Sequence, residues 1–366
     1  MARLGNYIRQ VRGVSYKPGD LFDSPSPDAI TVLRANNITD DGEITLDDVV
    51  WVAKERVKDQ QLIKAGDILV CASSGSKNLV GKAAQAEKDL DVAFGAFCKV
   101  VRPMNANKKY IGYFFQSPIY RRSISYASAG VNINNIRSED LDALAIDLPD
   151  ADEQAMRVNK LEKLARSIAL RKKQLDKIDL LIKSQFIEMF EHRDIATIKI
   201  GSVLETTSGG TPSKSNMEYY ENGEIPWMTS GEVSQGLIFD VKNRITEKGL
   251  KNSSAKWMPQ DTVVVAMYGA TAGQVGLLKI KTTTNQAVCG ILPNGRFNAL
   301  YLYHAVSRKK EWMISQCAGG AQPNISQTVI KRMEILEPPI DDQEQFAAFV
   351  EQTDKSKIPF ELEVAA

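Results

Sequence analysis

The feature that most constrains this 366-residue chain is that it is written twice. The segment Asp67-Ile-Leu-Val-Cys-Ala-Ser-Ser-Gly75, continuing to Val80-Gly81, has a counterpart in Asp261-Thr-Val-Val-Val-Ala-Met-Tyr-Gly269, continuing to Val275-Gly276. The offset is 194 residues (67 to 261) and then 195 (81 to 276). Further on, Phe94-Gly95-Ala-Phe-Cys matches Asn285-Gln286-Ala-Val-Cys, Tyr110-Ile-Gly-Tyr-Phe-Phe matches Leu300-Tyr-Leu-Tyr-His, and Gly130-Val-Asn132-Ile133 matches Gln322-Pro-Asn324-Ile325. Each copy closes on proline, acidic residues and glutamine, at Pro149-Asp-Ala-Asp-Glu-Gln154 and Pro339-Ile-Asp-Asp-Gln343. The order is kept throughout, so the chain is a duplication, and its length allows each copy a core of its own.

Within each copy, short β-branched or apolar runs (68–72, 97–101, 263–267, 287–292) are bounded by Gly, Pro, Asp or Asn and predict strands. Segments 110–116 and 299–307 carry helical spacing. The expected class is α+β, with two related α/β domains at 1–150 and 196–340. Between them the period changes. Residues 152–191 contain no Gly or Pro, and Leu161, Ile168, Leu175, Ile182 and Met189 recur every seven residues, with Leu164, Ile178, Leu181 and Phe186 at the adjoining spacings. Such a seam predicts a coiled-coil helix over 151–195, about 60 Å long for forty residues, and it needs a partner helix. The natural partner opens the segment 341–366, where Phe346, Phe349, Val350 and Thr353 keep helical spacing. Pro359 ends it, so this second helix is short and most of the seam is expected to be bare.

The stretch Gly75-Ser-Lys-Asn-Leu-Val-Gly-Lys-Ala83 brings a phosphate-binding loop to mind, but five residues separate its glycines where four are required, and Ala83 stands where a hydroxyl should ligate magnesium. The second copy has no lysine there. His192 and His304 are the only histidines and complete no nucleophile triad; no methyl-donor loop or catalytic Asn/Asp-Pro-Pro motif occurs; and Asp67 and Asp261, as copies of one position, cannot share a metal. The cysteines at 71, 98, 289 and 317 lack the spacing of a zinc site and read as buried thiols. Trp227 and Trp257 read as core anchors. No signal peptide or membrane-length apolar run is present, so the cytoplasm is the expected compartment. Net charge is +1, and no segment forms a basic tail, which leaves the local clusters Arg121-Arg122 and Arg308-Lys309-Lys310 as the candidate polyanion contacts.

Globular half, long helix, related half and helix start together resemble the specificity subunit of type I restriction-modification systems. The resemblance is carried most specifically by Thr207-Ser-Gly-Gly-Thr-Pro-Ser213, Ile225-Pro-Trp-Met-Thr-Ser-Gly-Glu-Val233, the strand and loop at 264–276, and Gln322-Pro-Asn-Ile325 leading to Pro338-Pro339 and Gln343. The first half is more divergent, with Leu33-Arg-Ala-Asn-Asn-Ile38 where the second has Trp227-Met-Thr-Ser-Gly-Glu-Val233. The resemblance implies two target-recognition domains reading a bipartite duplex DNA target, and helices that dock methyltransferase and, through them, restriction/translocase subunits. It implies no catalysis and no cofactor on this chain; S-adenosylmethionine, ATP and Mg are expected only on partner subunits. Groove readout needs side chains that donate and accept at base edges. The DNA-contact candidates are Ser73, Ser74, Ser76, Lys77, Asn78, Arg121, Arg122 and Asn132 in the first copy. In the second they are Lys214, Thr229, Ser230, Tyr268, Thr271, Gln274, Arg308, Lys309, Gln322 and Asn324. The bare seam is expected to be covered by a second copy of the chain, by a separately encoded fragment or by a methyltransferase subunit, self-association being the simplest case. The competing reading is a repeat-built protein-binding scaffold without DNA specificity, which salt-sensitive, sequence-dependent duplex binding would exclude.

Overall fold

The computed structural model describes residues 1–76, 79–127, 135–317 and 324–354. The chain divides into two compact units, residues 1–170 and 171–366. In the first, an antiparallel sheet runs in the order Ile8–Arg12, Cys98–Pro103, Ile68–Cys71, Ala83–Gln85, and a second sheet runs Leu21–Phe22, Val50–Ala53, Ala29–Leu33, Val92–Phe94, its last pair parallel. The unbroken apolar run Ile68–Cys71 follows from its place in the middle of a sheet covered on both faces. Ile68 and Val70 point into a core with Ile111, Phe115 and Tyr120, whereas Leu69 and Cys71 point into another with Leu33 and Phe94.

The second unit repeats this plan. Its sheet runs Thr206–Ser208, Val288–Ile291, Val263–Ala266, Val275–Leu278, with Leu237–Ile238 added in parallel at the edge. A companion sheet runs Arg244–Ile245, Ile225–Met228, Thr282–Thr284, Trp257–Met258. Val263 and Val265 face Leu300 and Tyr301, and Val264 and Ala266 face Met228 and Val233.

Hydrogen bonds place the two copies in a register that the bare sequence misaligns. Ala72 N–H donates to the Phe97 carbonyl as Met267 N–H does to Ala287, an offset of 195 (72 to 267). Asp261 therefore answers to Gly66, and both hold positive φ, while Asp67 answers to Thr262. Gly81 and Gly273 are equivalent, since their N–H groups donate to the Cys71 and Ala266 carbonyls, so Gly276 is not the counterpart of Gly81. Ile136 N–H donates to Ala72 as Ile325 N–H does to Met267, which makes Asn135 the counterpart of Asn324. Asn132 itself lies outside the described residues.

A buried glutamine joins each sheet layer to the helix that follows. Gln154 Oε1 accepts from the Asn107 N–H at 3.0 Å and its Nε2 donates to the Pro149 carbonyl at 2.7 Å. Gln343 repeats both bonds with Asn298 (2.9 Å) and Pro338 (2.9 Å). Asn107 and Asn298 are the N-caps of Lys108–Gln116 and Ala299–Ser307, and the hydroxyls of Tyr110 and Tyr301 donate to the Asp147 and Leu336 carbonyls. The repeated glutamine fixes where the following helix departs, by tying its first turn to a helix cap and to the proline that precedes it.

The long helix spans Ala151–Phe186 and ends in a π turn, Ile187–Glu191. Its seam does not behave as one stripe. Leu161, Leu164 and Ile168 are exposed, Leu175 and Ile178 are half-buried, and Ile182, Phe186 and Phe190 are buried, with Met189 packed at their edge. Leu181 is 51% exposed and so stands off the covered face. Among the described residues the expected partner, Ile340–Asp354, covers the C-terminal end, where Phe346 meets Phe186 and Phe190 edge-on. Period seven identifies a stripe along the helix; which part is covered depends on the elements that reach it.

Candidate nucleic-acid interface

In the first unit, residues 72–82 join two antiparallel strands, and among the described residues the second glycine, Gly81, leads into the strand Ala83–Gln85 and not into a helix N-terminus that could hold a phosphate. Lys82, the lysine of the near-miss motif, is paired with Asp40, whose carboxyl it holds below the usual carboxylate range. Ser73 bridges to Asn135, Ser74 Oγ accepts from the Ser76 N–H at 3.2 Å, and Ser76 is exposed. Arg121 lies on the helix Pro118–Ala127 and donates to the Val80 carbonyl at 3.1 Å, bracing this loop. Arg122 is exposed beside it. Gly81 is required twice over: its φ is +81°, and a Cβ there would stand 2.8 Å from Ile124. Lys77 and Asn78 lie outside the described residues.

The second unit gathers its candidates more tightly. Tyr268 bridges to Asn324, and Thr271 Oγ1 donates to the Ser230 carbonyl at 3.2 Å, so that 230, 268, 271 and 324 share one edge. Gln274, the counterpart of Lys82, stands half-buried at the base of this loop. Gln322 lies outside the described residues. Residues 267–273 replace 72–81, so this loop is the shorter of the two (seven residues against ten). Gly273, with φ +78°, packs against Lys310 and Ile314 as Gly81 packs against Arg121 and Ile124. The two basic clusters thus occupy equivalent places. Their members differ in freedom: Arg308 is bonded to Glu191 at 2.6 Å and lies over the Phe186 ring, which commits it to holding the helix end. Lys309 is half-buried beside it.

Thr229 leads from the loop edge into an open cleft of about 680 Å³ that sequence reasoning did not identify. Its wall includes Lys214, Trp227, Lys242, Asn243, Asn285 and Gln286. Trp227 is a core anchor, 6% exposed, with its indole N–H donated to the Gly210 carbonyl at 3.0 Å. Thr229 N–H and hydroxyl both donate to the buried Glu232, whose other oxygen accepts the Lys242 N–H at 2.8 Å. That carboxylate fixes the cleft's shape from behind. Trp257, expected in the core, is instead 38% exposed with the Lys281 ammonium 4.7 Å from its ring. The available signal for the cleft was polar residues at 285–286 where the first copy has small ones, but it was hidden by a one-residue misalignment. Hydrogen bonds pair Asn285 with Gly95, not with Phe94: Gly95 N–H donates to Leu33 as Asn285 N–H does to Met228.

Among the described residues no cluster of His, Cys, Asp or Glu could hold a metal, and no helix is long and apolar enough to cross a membrane. Cys71, Cys98 and Cys289 are buried free thiols, and burial pushes Cys98 and Cys289 up to about 12.

The family model for the type I restriction modification DNA specificity domain matches residues 19–180 and again 192–364. The EcoKI specificity subunit of Escherichia coli K12 is 29% identical over 371 aligned positions, covering 93% of this chain and 79% of that protein. The StySPI specificity subunit of Salmonella potsdam is 38% identical over 174 residues, 47% of this chain; the chain spans 37% of that protein's length. In fold, the chain is similar to the type I restriction-modification S subunit from M. genitalium, with a TM-score of 0.55 at 15% identity, covering 100% of this chain and 91% of that one. With two matches that fall on the two copies of the duplication, the chain belongs to the type I restriction-modification DNA specificity family and carries its domain twice.

Proposed function

We propose that this chain is the sequence-reading subunit of a type I restriction-modification complex, in which the domains at 1–150 and 196–340 each read one half of a split duplex target. The observation that carries the reading is a common backbone with unlike chemistry at equivalent positions. Gly95 and Ala96 in one unit stand where Asn285 and Gln286 stand in the other, as two readers of different half-sequences require. Methylation and cleavage, with their methyl donor, ATP and magnesium, belong to partner subunits in this reading.

The bare part of the seam serves assembly. Leu161, Leu164 and Ile168 are 39%, 60% and 50% exposed, and the helix Ala151–Phe186 carries nine basic side chains against five acidic. Burying such side chains stabilises by roughly 1.5–3 kcal/mol each, and the surplus of cations favours an acidic amphipathic helix from a methyltransferase subunit over a second basic copy of this one. The deciding experiment is a genome-wide map of methylated bases in cells with and without the chain. Sequence-specific methylation that depends on the chain supports the reading; an unchanged map overturns it.

A further inference from the structure

We infer that the cleft of the second unit reads a guanine through the O6 and N7 acceptors of its major-groove edge. The inference rests on the DNA-reading function proposed above and names what one of its sites takes.

The wall of the cleft is rich in donors. Asn285 Oδ1 accepts from the Ala287 N–H at 3.2 Å, and Gln286 Oε1 takes the hydroxyl of Thr211, so each amide oxygen has one acceptor position filled within the protein. Their NH₂ groups have no partner among the described residues. The same holds for the ammonium groups of Lys214 and Lys242, both exposed on the cleft. Thr229 gives its hydrogen to Glu232, which leaves its hydroxyl oxygen an acceptor at the margin of the wall, and no carboxylate lines it. Asparagine ordinarily reads adenine with its oxygen accepting from N6 and its NH₂ donating to N7. Here that oxygen already accepts the Ala287 N–H and the NH₂ is the end without a protein partner among the described residues, so the amide offers the cleft a donor first. Adenine N6 and cytosine N4 are donors and would face donors, whereas guanine presents two adjacent acceptors, and lysine pairs with the same edge or with the flanking phosphate. The first unit offers no such array. Its equivalents of Asn285 and Gln286 are Gly95 and Ala96, and Val14, 1% exposed, occupies the position of Gly210.

The test uses the full chain assembled with its methyltransferase subunits and duplexes carrying the mapped target. The half-site assigned to the second unit by exchange of residues 200–340 is substituted, one guanine at a time, with 7-deazaguanine, which lacks N7. One position is expected at which the analogue slows methylation about tenfold or more. Asn285→Ala should lose discrimination at that same position and keep the first half-site. Lys242→Gln should lower binding on all sequences about equally and flatten the salt dependence by about one unit of slope. A half-site without guanine, an analogue without effect at every guanine, or an Asn285→Ala variant with unchanged discrimination overturns the assignment while leaving the DNA-reading function standing. If the wild-type chain directs no sequence-dependent methylation, the DNA-reading function itself has failed and the assignment falls with it. Should Asn285→Ala unfold the domain, the analogue series on the wild-type chain decides alone.

Discussion

The two units share the central strands, helix caps and exits of their fold and differ in edge strands and along the polar cleft of the second. Both have a central strand buried on both faces, a glycine of positive φ closing the loop after it, an asparagine-capped helix and a buried glutamine at the exit. They part where the two sheets are joined, at the bond from the Val14 N–H to the Phe94 carbonyl and its counterpart from Gly210 to Thr284. In the first unit Val14, Val32, Val52 and Ala93 pack there with Tyr16, and Arg34 spends its charge on Asp48 at 2.9 Å. In the second, the equivalent of Val14 is Gly210, the equivalent of Val32 is Trp227, and that of Arg34 is Thr229, which opens a polar cleft. Duplication preserves what every copy needs for its core and releases the rest to change. The residues that differ while the backbone stays the same are therefore the better guide to specificity.

The comparison can be broken most completely by exchange. Replacing 200–340 with the equivalent domain of a relative is expected to change one half of the methylated target entirely and leave the other half alone. A change in both halves would show that the units do not read independently.

Next in size is the cover of the long helix. Phe346→Ala should cost about 3–5 kcal/mol of stability in the second unit, because it empties a site in contact with Phe186, Phe190 and Tyr301. Leu164→Ala, on the bare stretch, should cost under about 0.5 kcal/mol in the isolated chain and yet weaken assembly. Urea unfolding, alongside sedimentation with and without partner, separates these. Equal costs for the two variants would mean that the seam is covered along its whole length. Ile182→Glu is unsuitable for testing association, since Ile182 is 4% exposed within the unit's own core.

A smaller effect sharpens the likeness of the two exits. Gln154→Leu and Gln343→Leu each leave an N–H and a carbonyl without their partner, at about 1–3 kcal/mol apiece. The costs should match within about 1 kcal/mol if the joints are truly equivalent. A large cost at one and none at the other would make the shared geometry incidental.

The smallest concerns the thiols. With pKa values near 12, Cys98 and Cys289 are thiolate to only about one part in ten thousand at pH 8, so iodoacetamide should leave both unmodified until the chain unfolds. Rapid labelling of either in the native chain, read by peptide mass, would contradict their burial.

Much of this was legible in the residues. Ordered matches establish the duplication, unbroken apolar runs mark the doubly covered strands, and a forty-residue stretch without glycine or proline marks the helix, because each is a local pattern tied to a local geometry. The closing glutamines were visible as a repeated motif without a role. Their role depends on Asn107 and Asn298, 47 and 45 residues away, being folded back against them. Three things belonged to the tertiary structure alone. The register of the copies is set by hydrogen bonds across sheets, which is why Asn135 and not Asn132 answers to Asn324. The extent of the covered seam is set by where Phe346 and Tyr301 arrive, which no heptad count contains. The cleft is assembled from segments at 211–214, 227–229, 242–244 and 285–286, and its character as a donor wall depends on which amide oxygens the protein has already used. A sequence lists the side chains that could donate or accept; only the fold decides which of those capacities remain unspent.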